Sequence, residues 1–262
     1  MNEHSLKISI ATVTYNAGAL LEKTIASVEN QTYPYVEHVI VDGNSTDSTM
    51  EVIHHYQERN SVSEKRHEIN ILSESDKGLY DAMNKAIQMA TGDYILFLNS
   101  GDCLHSPKTL EYVVAAIQNC SNTPAVVYGD TDIVNDSGVF IRKRRLSPPE
   151  KLTWKSFRKG MLVCHQAFFA NMEIAKATPY QLKYRFSSDF DWSIRLIRKG
   201  EKLGSPMLNT HLIIADYLDG GLTTKNHRKS LWERFRIMTH HYGWGRTIGW
   251  HLYFIIRALL KK

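Results

Sequence analysis

Apolar and polar positions along the first half of the chain switch repeatedly between two periods. Ile8, Ile10 and Val13 lie in a β-rich run that stops at Thr14-Tyr15-Asn16-Ala17-Gly18, after which Leu21, Ile25 and Val28 recur at helical spacing. The next apolar run, Val36 to Val41, ends at Asp42-Gly43-Asn44. Ser48, with Glu51 three residues later, reads as a capping box that opens a helix towards Tyr56. Ile69 to Leu72 is a third strand, followed by a helix marked by Tyr80, Met83 and Ile87. Tyr94 to Leu98 is a fourth, closing on Asn99-Ser100-Gly101-Asp102. Pro107 starts a helix through Leu110, Val113, Val114 and Ile117, and Ala125 to Tyr128 is a fifth strand. Continuously apolar strands alternating with helices of about ten to fifteen residues predict right-handed βαβ units, hence an α/β fold on a buried parallel sheet.

Beyond Gly129 the pattern is mixed. Asn135-Asp136-Ser137-Gly138 predicts a hairpin turn between Ile133 and Phe140, Gln166 to Ala170 a strand, and Asp189 to Lys199 a helix with Trp192, Leu196 and Ile197 inward. From Lys225 a helix runs to about His241, breaks at Gly243-Trp244-Gly245 and resumes as a terminal helix. In it Ile248, Leu252, Ile255, Ile256 and Leu259 form an apolar stripe beside Arg246, Arg257, Lys261 and Lys262. The expected division is one domain over residues 1–222 and a basic amphipathic helical tail over 223–262.

Composition narrows the class. The chain has 262 residues, 43% hydrophobic and 23% charged, which suffices for a sizeable core and excludes disordered, collagen-like and coiled-coil chains. Cys103, Cys120 and Cys164 form neither a disulfide framework nor a zinc spacing, which points to a reducing compartment. The N-terminus lacks an apolar signal core and no stretch reaches the ~20 apolar residues of a spanning helix, so the expectation is a chain neither exported nor integral to a membrane. Charge is uneven: residues 225–262 carry nine Lys/Arg against Glu233 alone, and Arg142 to Lys159 eight against Glu150. Two local patches, rather than a basic whole, suit phosphates or surfaces that those segments meet, and not nucleic acid.

Ligands of an open parallel sheet collect at the carboxyl ends of its strands, where loops and helix N-termini converge. Polar motifs follow the first four strands in order, at Thr14 to Gly18, Asp42 to Thr49, Ser73 to Asp81 and Asn99 to Asp102. Each alone is ordinary turn chemistry. Four on consecutive strand ends are a site able to hydrogen-bond a nucleotide's base and sugar, or to bind the cation that neutralises a diphosphate. No GxGxxG follows a strand, which argues against a dinucleotide-dependent dehydrogenase.

The ordered set TVTYN (Thr12 to Asn16), VDGNSTDST (Val41 to Thr49), ESDKGLYDAMNKA (Glu74 to Ala86), GDYILFLNSGD (Gly92 to Asp102) and SSDFDW (Ser187 to Trp192) resembles the family 2 glycosyltransferases of the GT-A fold, over roughly residues 6 to 222. The resemblance implies a single Rossmann-like, mostly parallel sheet flanked by helices, here with a C-terminal helical tail. It also implies inverting transfer of a sugar from a nucleotide-diphosphate donor, usually with Mg2+ or Mn2+, to an acceptor hydroxyl. Carried over, Thr14 and Tyr15 line the base pocket with Asn16 beside them, and Asp42 binds the base. Asp76 and Lys77 lie by the ribose and diphosphate, Asn99 borders the donor, and Asp102 is the metal ligand. The chain departs from the pattern there: the family commonly has two or three carboxylates after the fourth strand, whereas Asn99, Ser100 and Gly101 precede a single Asp102, which would share a cation with the diphosphate.

Inversion by one displacement needs a carboxylate on the face of the sugar opposite the nucleotide, to take the acceptor's proton. Where the family usually has Glu-Asp, this chain has Ser188-Asp189, so Asp189 matches the base and Asp191 is the second choice. His165 resembles a residue of the family's acceptor-side loop, placed to contact sugar or diphosphate, and Arg142 to Arg145 offer a grip for an acceptor diphosphate. The expected partners are a nucleotide sugar, a saccharide or lipid-linked saccharide of bacterial surface polysaccharide synthesis, and an anionic membrane surface met by the tail; a second copy of the chain is a further candidate. The expected location is cytoplasmic, on the inner face of the cell membrane. Two other readings stand beside this one. A nucleotidyltransferase of similar fold should carry a basic residue in the first loop, which TVTYNAG lacks. A non-catalytic nucleotide-binding membrane adaptor would not need Asp189 and Asp191.

Overall fold

The apolar runs become strands buried on both faces. In the computed structural model, which describes residues 5–220 and 227–259, β1 (Ile8–Thr14) and β2 (Val36–Asp42) are buried throughout. β1 pairs in parallel with β2 on one side and with β4 (Tyr94–Phe97) on the other, and β3 (Glu68–Ser73) extends β2 in parallel. The connecting helices are α1 (Gly18–Glu29), α2 (Thr49–Val62) and α3 (Leu79–Met89), with α4 (Thr109–Gln118) following β4. Successive β1 side chains serve opposite layers, as the pleat requires. Ile8 and Ile10 pack with Val28 of α1 and Leu110 and Val113 of α4. Ala11 and Val13 pack with Tyr80, Met83 and Ile87 of α3 and with Trp192 and Leu196 of a later helix, α6 (Ser188–Lys202). Each such fully buried Ile or Leu is worth about 1.5–3 kcal/mol, which pins the register of this half.

Past β4 the spatial order leaves the chain order. The sheet runs β3-β2-β1-β4-β8-β6-β9-β5, where β5 is Cys103–Leu104, β6 Val126–Val134, β8 Phe168–Asn171 and β9 Met207–Leu218. β8 is inserted antiparallel to both β4 and β6, while β6 and β9 are parallel to each other. The strand expected at Ala125 to Tyr128 therefore exists as β6 but is longer, and β8 separates it from β4. It continues through Gly129 because β9 comes close: a Cβ there would sit 2.5 Å from the Leu212 carbonyl oxygen. The hairpin forms as expected, β7 (Phe140–Lys143) returning along β6 after a turn with the Asn135 N–H on the Val139 carbonyl at 3.0 Å and Gly138 at φ +77°. Between them, a short helix α5 (Met172–Lys176) follows β8 and precedes α6.

Two expectations need correction. α2 does start at Thr49, but Ser48 makes no capping bond; the Asp47 carboxylate accepts the Thr49 N–H at 3.0 Å and the Gly18 N–H at 3.2 Å, tying the starts of α1 and α2 together. The tail is also two different things. The boundary expected at 222/223, with Lys225, Lys261 and Lys262, lies outside the described residues. Of the described part, α7 (His227–Tyr242) packs into the body through Ile237, Met238 and Tyr242, and its Glu233 accepts the backbone N–H groups of Arg185 and Phe186 at 2.8 and 2.7 Å. Gly243, at φ +83°, breaks the helix, and α8 (Trp244–Leu259) follows. Trp250 and Phe254 of α8 lean on the main core, while Trp244, Ile248, Leu252, Tyr253, Ile255 and Ile256 are exposed. Among the described residues no helix is long and apolar enough to cross a membrane.

Candidate active site

The ends of β1 to β4 meet along one edge of the sheet, and their loops are stitched together. Asp42, the last residue of β2, is fully buried; its carboxylate accepts the Ser45 N–H at 3.0 Å and the Ser73 hydroxyl at 2.7 Å. Asn16, in the left-handed region at φ +47°, uses its side-chain carbonyl on the Thr46 N–H at 2.8 Å, so it joins the first loop to the second. Gly43 lies between Tyr15 and Asp76: a Cβ there would come within 3.3 Å of the Tyr15 ring and 2.8 Å of the Asp76 carboxylate. Thr14 is buried with its hydroxyl unpartnered, and Tyr15 is exposed beside it. Asp76 caps the turn into α3 by accepting the Gly78 N–H at 2.6 Å, and Lys77 is exposed on that turn. Tyr15 and Lys77 are thus exposed at this edge, Asp76 partly so, with Thr14 and Asp42 buried beside them.

The turn after Asp76 leads to the second half of the site. Tyr80, in the first turn of α3, donates its hydroxyl to Asp189 at 3.1 Å, and Asp189 stands in the first turn of α6. Burial, and then the Asp189 charge, push the Tyr80 phenol well above its usual range, so it stays a donor. His165, in a short 3-10 turn before β8, places Nδ1 3.7 Å from the other Asp189 oxygen and Nε2 3.0 Å from the Asn99 amide nitrogen. Asn99, Asp189 and Asp76 are therefore connected through His165, Tyr80 and the β3–α3 turn.

Asp191 is elsewhere. Two residues along a helix is about 200° of rotation, so it cannot share the Asp189 face. It is completely buried, bonded to Arg195 Nε at 2.6 Å and to His241 Nε2 of α7 at 2.8 Å. Burial works against its ionisation, but the His241 hydrogen bond and the Arg195 charge outweigh it and hold the carboxyl below its usual range. The second-choice base is a packing ion pair.

Asp102 also differs from expectation. It is 4% exposed, and its two oxygens accept Gln166 Nε2 at 2.7 Å and the Leu218 N–H of β9 at 3.0 Å. Burial raises its carboxyl to about 7. Among the described residues no three His, Cys, Asp or Glu side chains converge on a point that could hold a metal ion. The remaining oxygens in this loop, Asn99 Oδ1 and Ser100 Oγ, are buried, unpartnered and neutral. These residues do not fit a divalent cation held by the protein alone: the single acid is turned inward as a brace between β9 and the His165-Gln166 turn.

Two residues at this edge escape a reading by motif: Tyr80 reads as an apolar helix position and Gln166 as the start of a strand. Arg144 belongs to the run expected to grip an acceptor diphosphate. In the structure Arg144 is hooked onto the Met161 and Leu162 carbonyls at 2.9 and 3.3 Å, whereas Arg142 pairs with Asp219 at 3.1 Å. The only advance signal was adjacency: Tyr80 lies within ESDKGLYDAMNKA, and Gln166 follows His165.

Comparison with known proteins agrees with the fold. The family model described as "Glycosyl transferase family 2" matches residues 9–177. A PGL/p-HBAD biosynthesis glycosyltransferase of Mycobacterium bovis is 31% identical over 240 residues, which are 88% of this chain and 84% of that one. Among solved structures, S. aureus TarS 1-349 in complex with UDP superposes with a TM-score of 0.67 at 16% identity, over 89% of this chain and 64% of that chain. This chain thus spans less than two thirds of the TarS chain. Glucosyl-3-phosphoglycerate synthase from Mycobacterium tuberculosis, in complex with Mn2+, UDP and glucosyl-3-phosphoglycerate, gives 0.56 at 16% identity, over 87% of this chain and 80% of that one. The mixed α/β sheet with its flanking helices is the GT-A architecture of these neighbours.

Proposed function

The chain belongs to glycosyl transferase family 2, and from that premise we propose that it transfers a sugar, with inversion, from a nucleotide-diphosphate donor to an acceptor hydroxyl. One observation carries the mechanism: Asp189 is a carboxylate held on one oxygen by Tyr80, with His165 near the other, and His165 in turn meets Asn99 of the loop after β4. Thr14, Tyr15 and Asp42 take the base, and Asp76 and Lys77 the ribose and diphosphate. Asp189 receives the acceptor's proton as the acceptor oxygen attacks the anomeric carbon and the nucleotide leaves. A base at this position contributes about 10^2–10^4-fold. Arg144 adds positive charge near the diphosphate side. Mn2+ accompanies UDP in the solved M. tuberculosis synthase; here Mg2+ or Mn2+ would be shared with the donor's phosphates, because among the described residues no three acidic, His or Cys side chains converge to hold it. Membership of a transferase family leaves no ground for a non-catalytic adaptor.

The reading is tested by melting the protein against UDP-glucose, UDP-GlcNAc, UDP-galactose and GDP-mannose, each with and without Mn2+. At about a hundredfold excess over Kd the true donor adds about 2.7 kcal/mol, which raises the melting point by several degrees. A panel in which every nucleotide sugar leaves melting unchanged would sink the reading.

The acceptor is a lipid-diphosphate-linked saccharide, and the protein works at an anionic membrane surface. The support is α8: six large apolar residues stand exposed on it, in a segment where residues 225–262 hold nine Lys/Arg against one acid. Apolar area and positive charge together favour the lipid interface, each nearby cation adding about 1 kcal/mol. The triple change Ile248→Ser, Leu252→Ser, Ile256→Ser is expected to abolish co-sedimentation with vesicles of phosphatidylglycerol and phosphatidylcholine while leaving donor-induced stabilisation intact. Unchanged co-sedimentation rules out the lipid surface, and a concentration-dependent dimer lost in this variant assigns the face to a second copy instead.

A further inference from the structure

One side chain joins the donor edge to the base and has no part in the reaction as written above. The His165 side chain is 16% exposed and that of Asp189 15%, so both are mostly buried and still reach the surface. Asn99 meets His165 Nε2 through its amide nitrogen at 3.0 Å. An amide NH2 only donates, so Nε2 is the bare acceptor and the ring carries its proton on Nδ1. That nitrogen is the one 3.7 Å from Asp189 Oδ2, on the side opposite the Tyr80 hydroxyl, which holds Oδ1 at 3.1 Å. Asn99 stands in the loop after β4, and its amide nitrogen is spent on a histidine. Burial, assisted by the nearby Arg144 charge and opposed by Asp189, keeps His165 below its usual pKa, so the ring stays neutral and a donor at Nδ1. The other ionisable groups around the pair are Tyr80 on α3, Tyr180 before α6, Asp102 after β4, and Cys164 beside His165 itself.

We infer that His165 is a positioning residue for Asp189: Asn99 fixes its tautomer, and its Nδ1–H holds the carboxylate in the direction of the acceptor. The inference rests on Asp189 being the base. At 3.7 Å the contact is longer than a hydrogen bond, and contacts of this kind tighten when substrate binds. A donor to the charged form favours that form. The arrangement also makes the base depend on Asn99 being in place, so the loop that borders the donor and the group that takes the proton act together. His165 does not touch the reacting atoms.

Two substitutions separate its two nitrogens. Asn carries its amide where Nδ1 sits, so His165→Asn can still donate to Asp189. Gln carries its amide where Nε2 sits, so His165→Gln can meet Asn99 but not Asp189. The readout is kcat and KM against pH, for hydrolysis of whichever of the four nucleotide sugars raises the melting point of the wild type most. His165→Gln is expected to move the acid-side midpoint of kcat upward by about one pH unit, with about a tenfold loss of kcat at the acid end and an unchanged KM. His165→Asn is expected to keep the wild-type midpoint. The inference is overturned if both variants keep the wild-type midpoint, or if both shift alike. If the Gln variant does not fold, His165→Ala takes its place: an upward-shifted midpoint supports the inference and a wild-type midpoint removes it. Asp189→Asn runs alongside. Full turnover in that variant sinks the proposed function itself, whereas an inactive Asp189→Asn with both His165 variants titrating as wild type sinks only the role given to His165.

Discussion

Asp189→Asn is expected to lower turnover by about 10^3-fold while donor-induced stabilisation stays within a factor of a few of wild type. The change keeps the shape of the side chain and an oxygen for the Tyr80 hydroxyl, which accounts for Asp189 Oδ1 at 3.1 Å. It removes the capacity to take a proton and replaces the oxygen that faces His165 Nδ1 by an amide NH2. Asp189→Ala is a poorer experiment, because it leaves a buried Tyr80 hydroxyl without an acceptor, at a cost of about 1–3 kcal/mol. Single-turnover transfer from the stabilising nucleotide sugar, read together with thermal melting, separates lost chemistry from lost folding. Turnover within tenfold of wild type would take the base role away from Asp189.

Asp191→Ala is expected to act on stability instead, lowering it by about 3–5 kcal/mol and the melting point by on the order of 10 °C. The fully buried carboxylate is the shared partner of Arg195 at 2.6 Å and His241 at 2.8 Å; its removal leaves the nearly buried His241 ring without this partner and takes the counter-charge from Arg195, which keeps the Pro179 carbonyl. His241 lies on α7, so this pair is one of the ties between that helix and the catalytic domain, and α7 should loosen first. The sign of the pH effect follows from the shift. The folded carboxyl is held below its usual range, so its stabilisation is present above about pH 4 and fades as the pH falls further, through the depressed folded value. The stability gap between wild type and Asp191→Ala, measured by urea titration, should therefore be largest near neutrality and shrink under acid conditions. A gap below about 1 kcal/mol at pH 7, or one that grows in acid, contradicts the buried ion pair.

The two aspartates show where reading along the chain stops. Two acids two residues apart at the start of a helix look equivalent in the sequence, and helix geometry alone guarantees that only one can face the site. Which one does so depends on Tyr80 coming from α3 and on His241 coming from α7, 109 and 50 residues away. Asp102 is a similar case. Its position at the end of β4 is legible, but the groups that occupy its oxygens, Gln166 and the Leu218 N–H, come from a turn 64 residues later and from β9, 116 residues later. A motif locates a side chain; it does not tell which way the side chain turns.

β1 to β4 and α1 to α4 were determined by local pattern: β1, β2 and β4 are buried throughout and read as largely apolar runs, β3 is a half-exposed edge strand with its own short apolar run, and the crossover helices carry one apolar stripe. The same pattern put the polar loops at one edge, which was enough to name the family. The insertion of β8 between β4 and β6, the long strand β9 with its register shifts beside Asp130, and the division of the tail into a packed α7 and an exposed-faced α8 were decided only in three dimensions. The physical reason is the same each time. Antiparallel insertion, half-buried pairing and helix docking draw their free energy from contacts between distant segments, and those contacts leave no period in the sequence to read.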